Sequence, residues 1–258
     1  MITSTRLPRR DDLAAAHDVK RRPFVGRSDA PSEPRLNVEC STAAWSMSGH
    51  ATSGGDVADS FMLSNECFVV AVWDAAGHDK SAATDAVLVR AGLRALLSAD
   101  PDIVSAVFAL NRVLFRRAGT LSPWPFVSGF FGLVNRETHT LRYISCGHET
   151  ALIFRGRNAH VHLPHNSPLL GINEAADLTV DTVHVERGDR LVIVSNGVTD
   201  ARPLCSQTEF FGTARICSYF RLQPFGRTAE ASRLIDHVVT FADGALDDDA
   251  AALIARFD

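Results

Sequence analysis

A layered α+β domain is the fold class this sequence predicts, on two observations. Short strand-like runs follow one another from residue 36 onward, at 36–41, 67–73, 126–134, 140–145, 151–154, 159–163, 178–185 and 190–195, with a last one at 251–257. Between the second and third of them lie two long stretches of helical period, 81–98 and 103–117. Many strands with helices inserted among them make helix layers on antiparallel sheet.

Taken in order, residues 1–35 come first as a polar extension with Arg, Asp and Pro throughout and no sustained period. Its basic residues, Arg6, Arg9, Arg10, Lys20, Arg21, Arg22 and Arg27, alternate with acids and prolines, which reads as a solvated, flexible tail. The domain is expected over 36–258. Turn signals at 135–138 and 155–158 join neighbouring runs, the pattern of antiparallel hairpins. The first helix carries Ala82, Val87, Leu88, Ala91, Leu93 and Leu97 at mostly helical spacing. The second carries Val107, Leu110, Leu114 and Phe115, with Pro101 and Asp102 ahead of it as a start signal. A third helix reads at 228–241.

Bulk properties narrow the function. The 258 residues are 46% apolar and 22% charged, ordinary globular usage. A chain this long buries about 70% of its unfolded surface, so it needs no metal to fold and any metal is expected to be catalytic. A net charge of -4 argues against a nucleic-acid partner. No run approaches the ~20 apolar residues of a membrane span, and no apolar secretory leader is visible. Five dispersed cysteines, Cys40, Cys67, Cys146, Cys205 and Cys217, suit reduced thiols in the cytoplasm.

Three acidic elements carry the chemistry: Gly54-Gly55-Asp56; Asp74-Ala75-Ala76-Gly77-His78 at the end of an apolar strand; and Asp247-Asp248-Asp249 ahead of the last strand. A carboxylate fixed at a strand end beside small residues suits Mg²⁺ or Mn²⁺, which take oxygen ligands and keep several waters. Two such ions about 3.5–4 Å apart can activate a water between them. Each acid taken singly also reads as a helix cap or a solvated turn.

At these residues the sequence resembles the SpoIIE/RsbU branch of the PPM-type metal-dependent serine/threonine phosphatases. Gly54-Gly55-Asp56 resembles its GGD element and Asp74-Ala75-Ala76-Gly77-His78 its D-V-x-G-H-G element. Phe126-Val127, Leu141 through His148, Ser167 through Ile172, Glu186 through Leu191 and Ser195 through Ala201 follow in the family's order, and Asp248-Asp249 resembles its closing pair. The resemblance implies two stacked antiparallel β-sheets flanked by helices, an α-β-β-α sandwich, with a two-metal cleft at one end. It implies that Asp74 bridges two Mn²⁺ or Mg²⁺ ions with the Ala75 carbonyl as a further ligand. Asp56 would hold one ion, Asp248 the other with Asp249 beside it, and Asn196 would complete the set. It further implies water attacking phosphorus directly, and as substrate a small phosphoserine or phosphothreonine protein of the partner-switching type, such as an anti-sigma-factor antagonist.

Two departures matter. Asn196 stands where the family has an aspartate, so either a metal is held more weakly or the chain is a pseudophosphatase that binds its phosphoprotein without turnover. Asp79 stands where the family has glycine, adding charge near the metals or capping the next helix. A hydrolase for small phosphate esters is a third reading, favoured by a deep Arg-lined pocket. The chain shows no sensor, receiver or kinase domain, so regulation is expected through the extension, a separate protein or a homodimer, with 81–98 and 103–117 as the segments that would transmit it. Cys146-Gly147-His148 does not read as a nucleophile and base, which leaves His148 structural or cleft-lining. His160, His162 and His165 read as a solvated strand face, since nothing else of ligand character joins them in sequence.

Overall fold

The computed structural model describes residues 34–47, 54–77, 80–118, 126–156, 159–206, 208–223 and 229–258. The expected extension, apart from residues 34 and 35, lies outside them, as do His78 and Asp79.

Two five-stranded antiparallel sheets form the centre. The first runs β1 (Val38–Trp45), β10 (Ala250–Phe257), β9 (Asp189–Val194), β6 (Ala151–Arg155), β7 (Ala159–Leu163). The second runs β2 (Asp56–Met62), β3 (Cys67–Ala75), β4 (Val127–Asn135), β5 (Thr140–Cys146), β8 (Asp181–His184). Helices α1 (Lys80–Ala99) and α2 (Ile103–Ala118) belong with the second sheet; the short α3 (Asn196–Thr199), α4 (Gly212–Leu222) and α5 (Glu230–Phe241) belong with the first.

Alternation along the strands builds the layers. In β3, Phe68, Val70 and Val72 face the other sheet and meet Ile153, Leu191, Ile193, Leu253 and Phe257. Their neighbours Val69, Ala71 and Trp73 point the other way, onto Ala86, Val89, Leu93 and Leu97 of α1 and Val107, Leu110 and Leu114 of α2. On the far side Leu152, Phe154, Val192 and Ile254 meet Ile216 and Phe220 of α4 and Leu234 and Val238 of α5. A strand buried on both faces is a continuous apolar run, which is why 67–73 was plain in the sequence. Each large aliphatic side chain buried here contributes about 1.5–3 kcal/mol. The α-β-β-α sandwich implied by the resemblance is the observed architecture.

Several boundaries are corrected. The first strand begins at Val38 and runs on to Trp45; Leu36 is buried ahead of it, its N–H bonded to the Arg136 carbonyl. The run at 178–185 is strand only over Asp181–His184, and the one at 190–195 ends at Val194. Strand β2 and helices α3 and α4 were not expected. Strand β2 buries Asp59, whose carboxylate takes Arg94 of α1 through both oxygens, at 2.8 and 2.6 Å, and so pins α1 over the sheet.

Candidate metal centre

The acids of the sequence motifs converge where the sheets share an end. Register places Asp56, first residue of β2, directly opposite Asp74 on β3, and Ser128 of β4 opposite Asp74 on its other side. From the first sheet come Ser195 and Asn196, where β9 gives way to α3, and Asp248 and Asp249, just ahead of β10.

Ser195 joins the two sheets. Its Oγ–H donates to Asp56 Oδ2, and its Oγ accepts the N–H of Ala251 at 2.8 Å. The Asn196 amide donates through Nδ2 to Asp248 Oδ2 at 3.3 Å. Asp249 is buried and turned into the scaffold: Oδ1 accepts the N–H of Met47 at 2.9 Å and Oδ2 that of Gly55 at 3.0 Å. Asp248 Oδ1 in turn accepts the Asp249 N–H at 2.7 Å.

Two glycines are required by contact. A Cβ at Gly55 would stand 2.4 Å from the Ala75 carbonyl oxygen, the backbone atom expected to bind metal. A Cβ at Gly197 would stand 1.9 Å from the Asp249 carbonyl oxygen, so α3 can lie against the start of β10 only without a side chain there. These approaches are the physical content of the Gly-Asp and Asn-Gly pairs in the sequence.

Burial is the main force holding the Asp56 carboxyl well above the usual carboxylate range, followed by the charge of Asp74; Asp248 adds to it and the Ser195 hydroxyl opposes it. Both charged groups acting on Asp56 are thus further carboxylates. Such a cluster is destabilised by self-repulsion, and a hard divalent cation relieves it. Carboxylates, an amide and a backbone carbonyl are the donors such an ion takes, so the residues fit Mg²⁺ or Mn²⁺. Among the described residues no three His, Cys, Asp or Glu side chains are drawn together as a ready-made cage.

Behind this row, His148 is buried, with Nδ1 3.1 Å from Ser128 Oγ, and burial pushes its imidazole down to about 4, so the ring is neutral at pH 7. The Cys146 thiol is pushed up to about 12 by burial, which disqualifies it as a nucleophile at neutral pH.

The fold places Asp56, Asp74, Ala75, Asn196, Asp248 and Asp249, the residues expected from the sequence, at one end of the two sheets. Sequence reasoning missed Ser195 as the bridge between sheets; the signal was a lone hydroxyl ending an apolar strand immediately before Asn196. It also missed the thiol beside the histidine pair: Cys217 of α4 stands 3.7 Å from His160, and His160 is only partly exposed.

The sandwich is the fold of PP2C-type phosphatase domains. The SiaA PP2C domain of Pseudomonas aeruginosa superposes with a TM-score of 0.71 at 17% identity, over 85% of this chain and 86% of that one. The PP2C phosphatase domain of SpoIIE from Bacillus subtilis gives 0.68 at 20% identity, over 87% and 64%. The RsbU and RsbW domains of Rv1364c from Mycobacterium tuberculosis give 0.71 at 18%, over 86% and 60%. More particularly, the chain belongs to the SpoIIE family: the model for stage II sporulation protein E matches residues 64–258, which takes in Asp74, Asn196 and Asp248 and leaves Asp56 ahead of it.

Among curated proteins, phosphoserine phosphatase RsbU of Bacillus subtilis (strain 168) is 26% identical over 143 residues, covering 55% of this chain and 42% of RsbU. Protein IcfG of Synechocystis sp. is 26% identical over 132 residues, covering 51% of this chain and 20% of IcfG. The matched stretch thus spans less than half the length of either relative.

Proposed function

We propose that this domain is a metal-dependent protein phosphatase that hydrolyses phosphoserine or phosphothreonine on a small regulatory protein in the cytoplasm. The observation that carries the reading is the facing of Asp56 and Asp74 across β2 and β3 with Asn196 and Asp248 brought in from the other sheet. Asp74, Asp56, Asp248, Asn196 and the Ala75 carbonyl are the residues that would hold two Mn²⁺ or Mg²⁺ ions. When bound, such ions polarise phosphoryl oxygens and lower the pKa of a bound water toward neutrality.

The chain's own residues do the rest. Ser195 keeps the Asp56 carboxylate aimed and donates to its charged form. Asp249, expected among the ligands, serves by fixing the backbone at Gly55 and Met47, which sets where Asp56 begins. Neutral His148 supports Ser128 beside Asp74 and adds no positive charge to compete with a cation. No side-chain nucleophile is needed, and the buried Cys146 is not one. Relatives named for RsbU and for the bacterial stressosome support a partner-switching phosphoprotein as the substrate class.

One observation favours a second reading. Asn196 brings a neutral amide to Asp248 where a further carboxylate would add charge for a metal, which suits a phosphoprotein-binding pseudophosphatase. Turnover of a phosphoserine protein by wild type and Asn196→Asp, across a Mn²⁺ titration, separates the two. Wild-type turnover that saturates at higher Mn²⁺ than the variant supports the phosphatase; turnover in the variant alone supports the binding module.

A further inference from the structure

On the outer edge of the first sheet, two imidazoles and a thiol meet outside the carboxylate centre. His160 and His162 lie two residues apart on the edge strand β7 and so share a face. That face looks toward α4, because their cross-strand partners, Phe154 and Leu152, belong to the core beneath that helix. The two imidazole rings stand 5.0 Å apart, centre to centre. From α4, Cys217 brings its Sγ to 3.7 Å from His160 Nε2.

That spacing is informative. With Zn–S near 2.3 Å and Zn–N near 2.0–2.1 Å, a tetrahedral ion holds its sulfur and nitrogen ligands about 3.5 Å apart. Cys217 and His160 already stand within a few tenths of an ångström of it. His162 is exposed and is the member that must turn inward, which is why the three are not drawn together as a cage. Thiolate and imidazole donors select zinc-like ions over Mg²⁺ or Mn²⁺. Phe154, packed on both His160 and Phe220, gives the position an apolar wall that strengthens charge interactions. Burial pushes the Cys217 thiol above its ordinary range, and Arg221 opposes this only in part while lowering the site's affinity for a cation, so the metal itself must displace the thiol proton.

We infer that His160, His162 and Cys217 form a second metal site, for one zinc-like divalent cation with water in the fourth position, which ties edge strand β7 to α4. It is independent of the phosphatase reading, since the carboxylate centre contains no thiol.

Co²⁺ is the probe, added to the full chain under reducing conditions with Mg²⁺ in excess to occupy oxygen sites. The expected result is a thiolate-to-cobalt charge-transfer absorption that saturates at one equivalent and is displaced by Zn²⁺. It should vanish in Cys217→Ser, weaken at least tenfold in apparent affinity in His160→Gln and His162→Gln, and persist in Cys205→Ser. Zn²⁺ should also raise the melting temperature of wild type and not of Cys217→Ser, whose fold is checked by circular dichroism. No absorption in folded wild type, its survival in Cys217→Ser, or wild-type affinity in either histidine variant would overturn the site.

Discussion

Asn196→Asp should make the metal-free protein less stable and the metal-bound protein more so. The amide now donates to Asp248 at 3.3 Å; an aspartate would replace that hydrogen bond with two facing carboxylates. Two like charges at this distance repel by about 1 kcal/mol in water and about 5 kcal/mol at an effective dielectric of 20. Both residues are partly exposed, so the lower part of that range applies; adding the lost hydrogen bond, about 1 kcal/mol, gives a cost of roughly 2–3 kcal/mol. For a domain of this size that lowers the melting temperature by roughly 4–12 °C in EDTA. A divalent cation reverses the sign, because the repulsion is what it neutralises, and a gain of even about 1.4 kcal/mol tightens binding tenfold. Melting curves in EDTA and in saturating Mn²⁺, with Mn²⁺ affinity by calorimetry, read both arms. A variant as stable as wild type in EDTA, or with unchanged Mn²⁺ affinity, would refute the reasoning.

Three further outcomes follow from the same contacts. Ser195→Ala strands the buried Ala251 N–H and removes the donor to Asp56, so it should cost about 1–3 kcal/mol in denaturant melts and weaken Mn²⁺ binding. Gly197→Ala drives a methyl into the Asp249 carbonyl, so α3 must move; Mn²⁺ binding should be lost even where circular dichroism shows the fold retained. His148 is neutral in the folded state down to about pH 4, whereas the unfolded chain takes up its proton near 6.5. Stability should therefore fall as pH drops through that window, by about 1.4 kcal/mol per unit, and denaturant melts of His148→Gln between pH 7 and 5 should lack that component.

What the sequence made legible followed from local pattern. Strands buried on both faces, such as β3, and helices with a full apolar stripe, such as α1, announce themselves in consecutive residues. Strand β2 does not, because Asp56 and Asp59 break its apolar run, and Asp59 is made tolerable by Arg94, 35 residues away on another element. Helix α4 anchors through little more than Ile216 and Phe220, too few positions to set a period. At the site, Asp56, Asp74 and Asp248 could be named from the order of motifs that resembles the family, since each acid alone also reads as a helix cap or a solvated turn. That Asp249 would turn to the Met47 and Gly55 amides was not legible, since its partners lie 202 and 194 residues away in the chain. The same holds for Cys217, 57 residues from His160: the histidine pair read as solvated until the fold supplied its neighbour.

The most direct test of the central claim is release of inorganic phosphate from a phosphoserine protein as Mn²⁺ is titrated, with wild type beside Asp74→Asn. The account predicts turnover that requires Mn²⁺, saturates with it, and falls to background in Asp74→Asn while the variant stays folded. Turnover unaffected by EDTA, or retained in Asp74→Asn, would contradict it.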